Sequence, residues 1–450
     1  MKNNKHVILS AIVASLGGLL FGFDTAVISG TTEWLQKSFD LSSFWLGFTV
    51  ASALIGTIIG AIVIGKPADK YGRRTVLFSV ALFYLVSALG SAFAWDWFSF
   101  LFFRFIGGLA VGAASVVSPL YIAEISPAKY RGRLVAITQF NIVLGMLLAF
   151  FSNYIITTIN LGAVEWRWMF GVEAIPALLF FLLLFRNPYS PRWLVAKNRI
   201  DEAILVLDKF GTDNGSVSNE IEEIKASLFS EKNGVREPLL SKKYIKPIML
   251  AVAIAMFNQL SGVNAIWYYA PHIFKMAGAG AESAMLQTVL LGGINIVLTM
   301  LALSVIDKFG RKKLMIIGSI GYLVSLSTVA SAFYIYGTDF TDIGSKWVLG
   351  GLLVFIGSHA FGQGAVIWVF LSEIFPNKVR AKGQALGTFT HWFMAAIISW
   401  TFPMIADISG GHTFAFYAVC MVAQLLWVIY VMPETKGISL ENIQKKLGIK

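Results

Sequence analysis

Cysteine is nearly missing from this chain: Cys420 stands alone among 450 residues, which excludes an intrachain disulfide and any metal site built on thiolates. Charge is scarce as well. Asp, Glu, Lys and Arg make up 14% of the residues against 56% apolar ones, so the length-based expectation of several soluble domains gives way to a polytopic membrane protein. Three catalytic phrases are also absent, namely His-Glu-x-x-His, the Gly-x-x-x-x-Gly-Lys-Ser/Thr phosphate loop and the Gly-x-Ser-x-Gly elbow. Their absence argues against ATP-driven chemistry and intramembrane hydrolysis, and no enzyme, cofactor or metal is expected. A net charge of +11 would suggest nucleic acid in a soluble chain, but its distribution points to a lipid bilayer and to no nucleic acid.

What is present is a series of twelve apolar runs, near 7–30, 43–65, 75–95, 98–122, 133–157, 167–186, 245–270, 284–306, 313–336, 346–372, 381–405 and 411–432. Each has about the twenty residues that cross a ~30 Å hydrocarbon core as helix. The predicted fold is all-α, with twelve transmembrane helices in two six-helix halves at 1–186 and 244–432, a helical linker at 187–243 and a tail at 433–450. Six is even, so the halves share one orientation. In the linker, 191–210 and 219–229 carry helical periodicity and mixed charge, as amphipathic helices do. The N-terminal run is read as the first span and not a signal peptide, because it is long, lacks a clear small-residue cleavage site and embeds Asp24. Lys and Arg gather in alternate loops, around Lys70 to Arg74, Lys129 to Arg133, Lys308 to Lys313 and Lys378 to Lys382. The positive-inside rule then places those loops and both termini in the cytoplasm.

The halves repeat one another. Asp69-Lys70-Tyr71-Gly72-Arg73-Arg74 returns as Asp307-Lys308-Phe309-Gly310-Arg311-Lys312, Glu124 and Arg131 return as Glu373 and Arg380, and Pro188 returns as Pro433. Internal repetition of this length means one half-protein written twice. Rows of small residues, Gly56 with Gly60 and Gly107, Gly108 with Gly112, read as close helix packing.

A charge inside a span costs about 2.5–3.5 kcal/mol on insertion scales, so each should have a partner or a task. Asp24 in the first span and Arg104 in the fourth are on the same side of the same half and have opposite signs; they could pair, and protonating Asp24 would release Arg104. Glu173 in the sixth span is a competing acid, read as a capped or packed glutamate. Amides cluster at Asn258, Gln259 and Asn264 in the seventh span and Asn295 in the eighth, with Gln139 in the fifth. They supply donors and acceptors for a ligand made of hydroxyl groups, and Trp368 and Trp392 offer flat apolar faces for a ring.

These residues resemble the sugar porters of the major facilitator superfamily over nearly the whole chain, from Gly17 through Asp24 to Pro433-Glu434-Thr435-Lys436-Gly437. The matching phrases include Asp69 to Arg74, Arg104-Phe105-Ile106-Gly107-Gly108, Tyr121-Ile122-Ala123-Glu124, Gln259-Leu260-Ser261-Gly262-Val263-Asn264 and Ser372-Glu373-Ile374-Phe375-Pro376. The likeness is nearest to bacterial proton-coupled xylose and hexose symporters. The resemblance implies the major facilitator fold, and a monosaccharide site near the midplane made by Gln139, Gln259, Asn264, Asn295 and Trp368 with Phe21 beside it. It also implies a proton switch of Asp24 and Arg104, and Tyr268 and Tyr269 at an outer gate. A cytoplasmic latch would be formed by Asp69, Arg73, Glu124 and Arg131 in one half and Asp307, Arg311, Glu373 and Arg380 in the other. Asp24, where uniporters of the family usually have Asn, favours symport with a proton.

The chain departs from the family pattern in several places. Asn258 stands where Gln is usual, His391 precedes Trp392 where Gln or Asn is usual, and His359 lies where an aromatic residue is common. Gly362-Gln363-Gly364-Ala365 lacks the usual proline before Trp368, so a glycine hinge is expected in the tenth span. Tyr189 replaces a Glu, removing one partner of the first-half network. His391 is placed where it could tune the pH dependence of sugar affinity or simply substitute for an amide. The expected function is import of a pentose or hexose with a proton by alternating access, in a bacterial inner membrane and without an obligatory protein partner. The alternatives are an uncoupled facilitator, a polyol or inositol symporter, and a sugar sensor that does not transport.

Overall fold

The computed structural model describes residues 4–210, 216–233, 237–438 and 440–449. Every regular element among them is a helix. Twelve helical segments are long and apolar enough to cross a membrane: Lys5–Gly30, Ser43–Val63, Arg73–Ala92, Trp97–Ile125, Tyr130–Ile159, Gly162–Arg186, Lys242–Met276, Ala281–Ile306, Arg311–Tyr336, Asp342–Glu373, Arg380–Ile408 and Gly410–Tyr430. They are called the first to twelfth spans below. Hydrocarbon offers the backbone no hydrogen-bond partner, so helices that satisfy their own N–H and C=O groups are the natural answer to these runs. Their outward faces carry exposed apolar side chains such as Phe102, Ile175 and Val419, as lipid-facing positions require.

The chain forms two compact units. The first comprises Met1–Val27, Ile55–Ala149 and Arg167–Val235. Its core includes Val80, Ala81, Tyr84, Ala110, Ala114, Val117 and Phe180. The small-residue rows pack as their spacing suggests. A methyl on Gly56 or Gly60 of the second span would collide with the carbonyls of Phe105 and Leu109 in the fourth, and one on Gly112 with the carbonyl of Thr57. The linker contributes helices Pro191–Ala196, Ile200–Phe210 and Val217–Asn233. Ser190 caps the first of them by accepting from the Trp193 N–H at 3.2 Å, with Pro191 following it. Trp193, Leu194, Ala203, Leu207 and Ile221 close a small core beneath these helices.

The second unit comprises Ile28–Leu54, Phe150–Trp166 and Arg236–Lys450. Ile254, Ile367, Phe370, Phe375 and Val428 lie in its core. Two of its segments come from the first 186 residues, and specific contacts account for their grouping. Lys275 Nζ meets Glu33 at 2.7 Å, the Trp34 indole N–H donates to Glu165 at 3.1 Å, and Phe150 stacks on Trp267 with centroids 5.9 Å apart.

The repeated charged phrase folds the same way twice. Gly72 has φ 91° and ψ 149°, and Gly310 has φ 90° and ψ 161°. Each ends one helix and begins the next, in a backbone region that is nearly glycine-only. A side chain there costs of order 1–3 kcal/mol in strain. Gly72→Ala and Gly310→Ala should each lower the thermal midpoint of the purified protein, while Gly65→Ala, which has open space around it, should leave it nearly unchanged.

Candidate functional site

In the first unit, Asp24 and Arg104 are brought together. Arg104 Nη1 donates to Asp24 Oδ1 at 2.6 Å and Nη2 to the Asp24 carbonyl at 3.3 Å, with both side chains 2% exposed. Gly107, one turn after Arg104, makes the room: a methyl there would lie 3.1 Å from Asp24 Oδ1 and against Ser87. The guanidinium also sits 5.2 Å from the Phe170 ring centre, a favourable position for a buried cation. Glu173 is near enough to act electrostatically on both members of the pair. It is 1% exposed, and neither carboxylate oxygen has a hydrogen-bond partner among the described residues. Arg104 Nε has none either. The site therefore holds one cation with an engaged carboxyl and an unengaged one. Phe21 and Gln139, half-buried, belong to this unit.

The remaining predicted ligand residues lie in the second unit. The seventh span is broken at Ser261-Gly262, where Gly262 adopts φ 84° and starts the helix Val263–Met276. Ser261 Oγ holds the break by donating to the Asn258 carbonyl at 2.7 Å and accepting from the Val263 N–H at 3.3 Å. The break sets Asn264 beside Gln259, and Asn264 Nδ2 donates to Gln259 Oε1 at 2.9 Å. His391 faces the same group: both ring nitrogens are 3.3 Å from Gln259 Nε2. The nitrogen that accepts from this amide carries no proton, so a neutral imidazole does there what an amide oxygen would do. The His391 ring lies 5.1 Å from that of Trp368 and 5.0 Å from that of Trp392. Trp368 is 41% exposed and can offer its face to a ligand, whereas Trp392 is buried. Asn295 is buried and accepts from Thr299 at 3.3 Å.

Asn258 is engaged at both ends of its amide, by Gln259 at 2.9 Å and by Gln363 at 3.4 Å. Its shorter reach is directed between helices. The tenth span has a π-helical turn, Ala360–Gly364, at the glycine-rich phrase. His359, just before that turn, bonds Tyr322 Oη through Nδ1 at 2.6 Å. Tyr268 and Tyr269 are both buried. Tyr269 carries the kink of its helix, at φ −126°, two residues before Pro271, and its hydroxyl donates to the Ser399 carbonyl at 2.9 Å. A cavity of about 470 Å³ elsewhere in this unit is lined by Glu33, Trp34, Lys37, Glu165, His272 and Lys275 among others, and by none of the predicted ligand residues.

Each charged turn is built inside its own unit. Arg73 bonds Glu124 at 3.0 Å and Asp69 at 3.1 Å. Arg311 forks onto Glu373, Nη2 to Oε1 at 2.8 Å and Nε to Oε2 at 3.2 Å. The side chain of Asp307 lies outside the described residues. Arg131 and Arg380, the other two arginines expected in the latch, bond to backbone. Arg131 donates to the Ser126 carbonyl and Arg380 to the Phe375 carbonyl, each five residues back and at 3.4 Å. Both guanidiniums therefore satisfy backbone at the end of the preceding helix.

Three partners escaped the sequence reading. Ser190 donates to Glu124 at 2.5 Å and Thr435 to Glu373 at 2.6 Å, and each follows its repeated proline, Pro188 or Pro433, by two residues. That matching position was the available signal. Between proline and hydroxyl stands Tyr189 in one copy and Glu434 in the other. Glu434 accepts the N–H groups of Arg311, Lys312, Thr435 and Lys436 at 2.9–3.1 Å, a carboxylate at a helix N-terminus. Tyr189 instead stacks on Trp193 at 4.9 Å and receives the guanidinium of Arg74 at 5.1 Å.

Residues 10–447 match the family model described as sugar (and other) transporter. The D-xylose-proton symporter of Escherichia coli strain K12 is 38% identical, over 98% of this chain and 96% of that protein. The glucose transport protein of Synechocystis sp. is 36% identical, over 98% of this chain and 97% of that protein. Among solved structures, the xylose transporter XylE from E. coli in a partially occluded inward open conformation superposes with a TM-score of 0.85 at 36% identity, covering 97% of this chain and all of that one.

Glu434 yields a pH prediction. Burial pushes its carboxyl up, but the four backbone N–H groups outweigh this and hold it below the usual range. Its folded value is thus below the unfolded one, near about 4.3, so its contribution is present above that pH and is lost as acidification passes the folded value. Glu434→Gln should lower the thermal midpoint at pH 7, and the gap from wild type should close as the pH is taken down from 5 to 3.

Proposed function

The chain belongs to the sugar transporter family, and on that premise we propose that it is a proton-coupled symporter importing a pentose or hexose by alternating access. It is a multi-pass inner-membrane protein with, in this reading, both termini and the charged turns in the cytoplasm. The observation that carries the coupling is the Asp24–Arg104 pair, 2.6 Å long and closed to solvent inside apolar helices. A buried ion pair that loses one charge leaves the other uncompensated, typically at a cost of about 3–5 kcal/mol. Protonating Asp24 therefore changes the energy of any conformation that keeps Arg104 buried beside it. Glu173 supplies an alternative acceptor for the freed guanidinium. Sugar and proton need only favour the same conformational change to be thermodynamically linked.

Gln259, Asn264, Asn295, Trp368, His391 and Trp392 are the proposed sugar contacts of the second unit, with Asn258 behind them. Phe21 and Gln139 are the proposed contributions of the first. Tyr268 and Tyr269 are assigned to an outer gate. Asp69, Arg73, Glu124 and Arg131 are assigned to a cytoplasmic latch, as are Asp307, Arg311, Glu373 and Arg380. The chemistry is carriage without bond making, so no catalytic residue is assigned.

Asp24→Asn reconstituted in liposomes should lose uphill sugar accumulation under a proton gradient while retaining sugar exchange. Full accumulation by this variant would remove Asp24 as the coupling group. In de-energised cells, adding the transported sugar should raise the external pH with wild type and leave it unchanged with Asp24→Asn; an uncoupled facilitator would give no signal with either.

A further inference from the structure

From the proposed sugar contacts a chain of hydrogen bonds runs into the second unit. Asn264 Nδ2 donates to Gln259 Oε1 at 2.9 Å, and Gln259 Nε2 donates to Asn258 Oδ1 at 2.9 Å. Asn258 Nδ2 donates to Gln363 Oε1 at 3.4 Å, and Gln363 Nε2 to Gln424 Oε1 at 2.6 Å. Gln424 Nε2 donates to Ser319 Oγ at 2.7 Å, and the Ser319 hydroxyl to the Met315 carbonyl at 2.7 Å. Every link has the same sense. The chain crosses from the broken seventh span through the π-turn of the tenth and the twelfth span to the backbone of the ninth. Gln259, Gln363, Gln424 and Ser319 are fully buried.

The far end dictates the near end. The Ser319 hydroxyl donates to the Met315 carbonyl, which can only accept, and while it does so its oxygen is left to accept. Gln424 must then present its NH₂ to Ser319 and its oxygen to Gln363, and the same logic passes along each amide in turn. Reversing one amide would set oxygen against oxygen or NH₂ against NH₂ at a buried contact. At the near end one Asn264 N–H is held on Gln259, which fixes the sense of the amide and leaves Oδ1, on the opposite side of the amide carbon, to accept from a ligand. Aligned bonds also polarise one another in a low-dielectric interior.

We propose that Gln363, Gln424 and Ser319 are positioning residues that fix the amide orientation of the sugar contacts, so that Asn264 meets the ligand as a hydrogen-bond acceptor. This rests on the monosaccharide reading above. The sugar group it selects is a hydroxyl that donates. A fluorine in place of that hydroxyl is similar in size and cannot donate.

The test compares sugar affinity, by tryptophan fluorescence of the purified full-length protein, for the best-bound monosaccharide and its monofluorinated analogues. Wild type should discriminate against one analogue by roughly tenfold, the scale of one lost hydrogen bond. Ser319→Ala and Gln424→Met should each reduce that ratio at least about threefold, because the amides behind the contact are freed to turn. A loss of packing alone would weaken both ligands equally and leave the ratio unchanged, which would overturn the proposal. If Gln424→Met does not fold, Ser319→Ala, which removes one oxygen, decides alone. Wild type that binds no monosaccharide would overturn the sugar reading itself, whereas binding with an unchanged ratio in the variants overturns only the relay.

Discussion

Hydrocarbon supplies no hydrogen bonds, and that constraint organises the molecule at each scale. It requires helices of about twenty residues, and twelve segments of that kind are present among the described residues. It also requires that polar groups placed among them be matched to one another. Where the seventh span opens at Ser261-Gly262, the Ser261 hydroxyl takes up freed backbone groups on both sides of the break. Where charge enters the first unit, Asp24 and Arg104 neutralise each other at 2.6 Å. The amides of the second unit answer the same demand through their shared chain.

An ion pair in such a setting responds strongly to a proton because little else is there to compensate. Glu173 is among the buried groups left unsatisfied, a carboxyl without a hydrogen-bond partner near a cation that is already engaged. Unsatisfied buried polar groups are uncommon, and each calls for an explanation, a functional role among them. In a carrier, a second arrangement is the function.

The two charged turns show how a duplicated element can keep its backbone while changing its chemistry. Gly72 and Gly310 have nearly the same dihedrals, and Arg73 and Arg311 each meet a glutamate. The position after the repeated proline then diverges. Glu434 binds the start of a helix with its carboxylate, while Tyr189 uses its ring to hold Arg74. A carboxylate with four N–H donors responds to acid. A cation over an aromatic face does not lose its partner in that way, so the turns differ in their sensitivity to pH.

The periodicity and length of the apolar runs, the duplicated phrases and the isolated charges were legible from residue order, because helix formation and membrane insertion act on local composition. Asp24 and Arg104 could be matched on sign and depth alone. The linker helices were foreseen from their mixed charge, though not the division at Lys197 to Arg199 between the first two. The roles of Arg131 and Arg380 were not legible: a guanidinium can bond a carboxylate or a carbonyl, and only the local backbone path selects one. Gln363 and Gln424 were equally hidden, since 61 residues separate them and nothing in an apolar stretch says which amide another will meet. The sequence by itself determined the number of spans, the duplication and the inventory of polar groups. Tertiary structure decided which polar groups pair and in what orientation, because a hydrogen bond depends on direction and distances of about 3 Å, and these arise only when helices distant in sequence pack together.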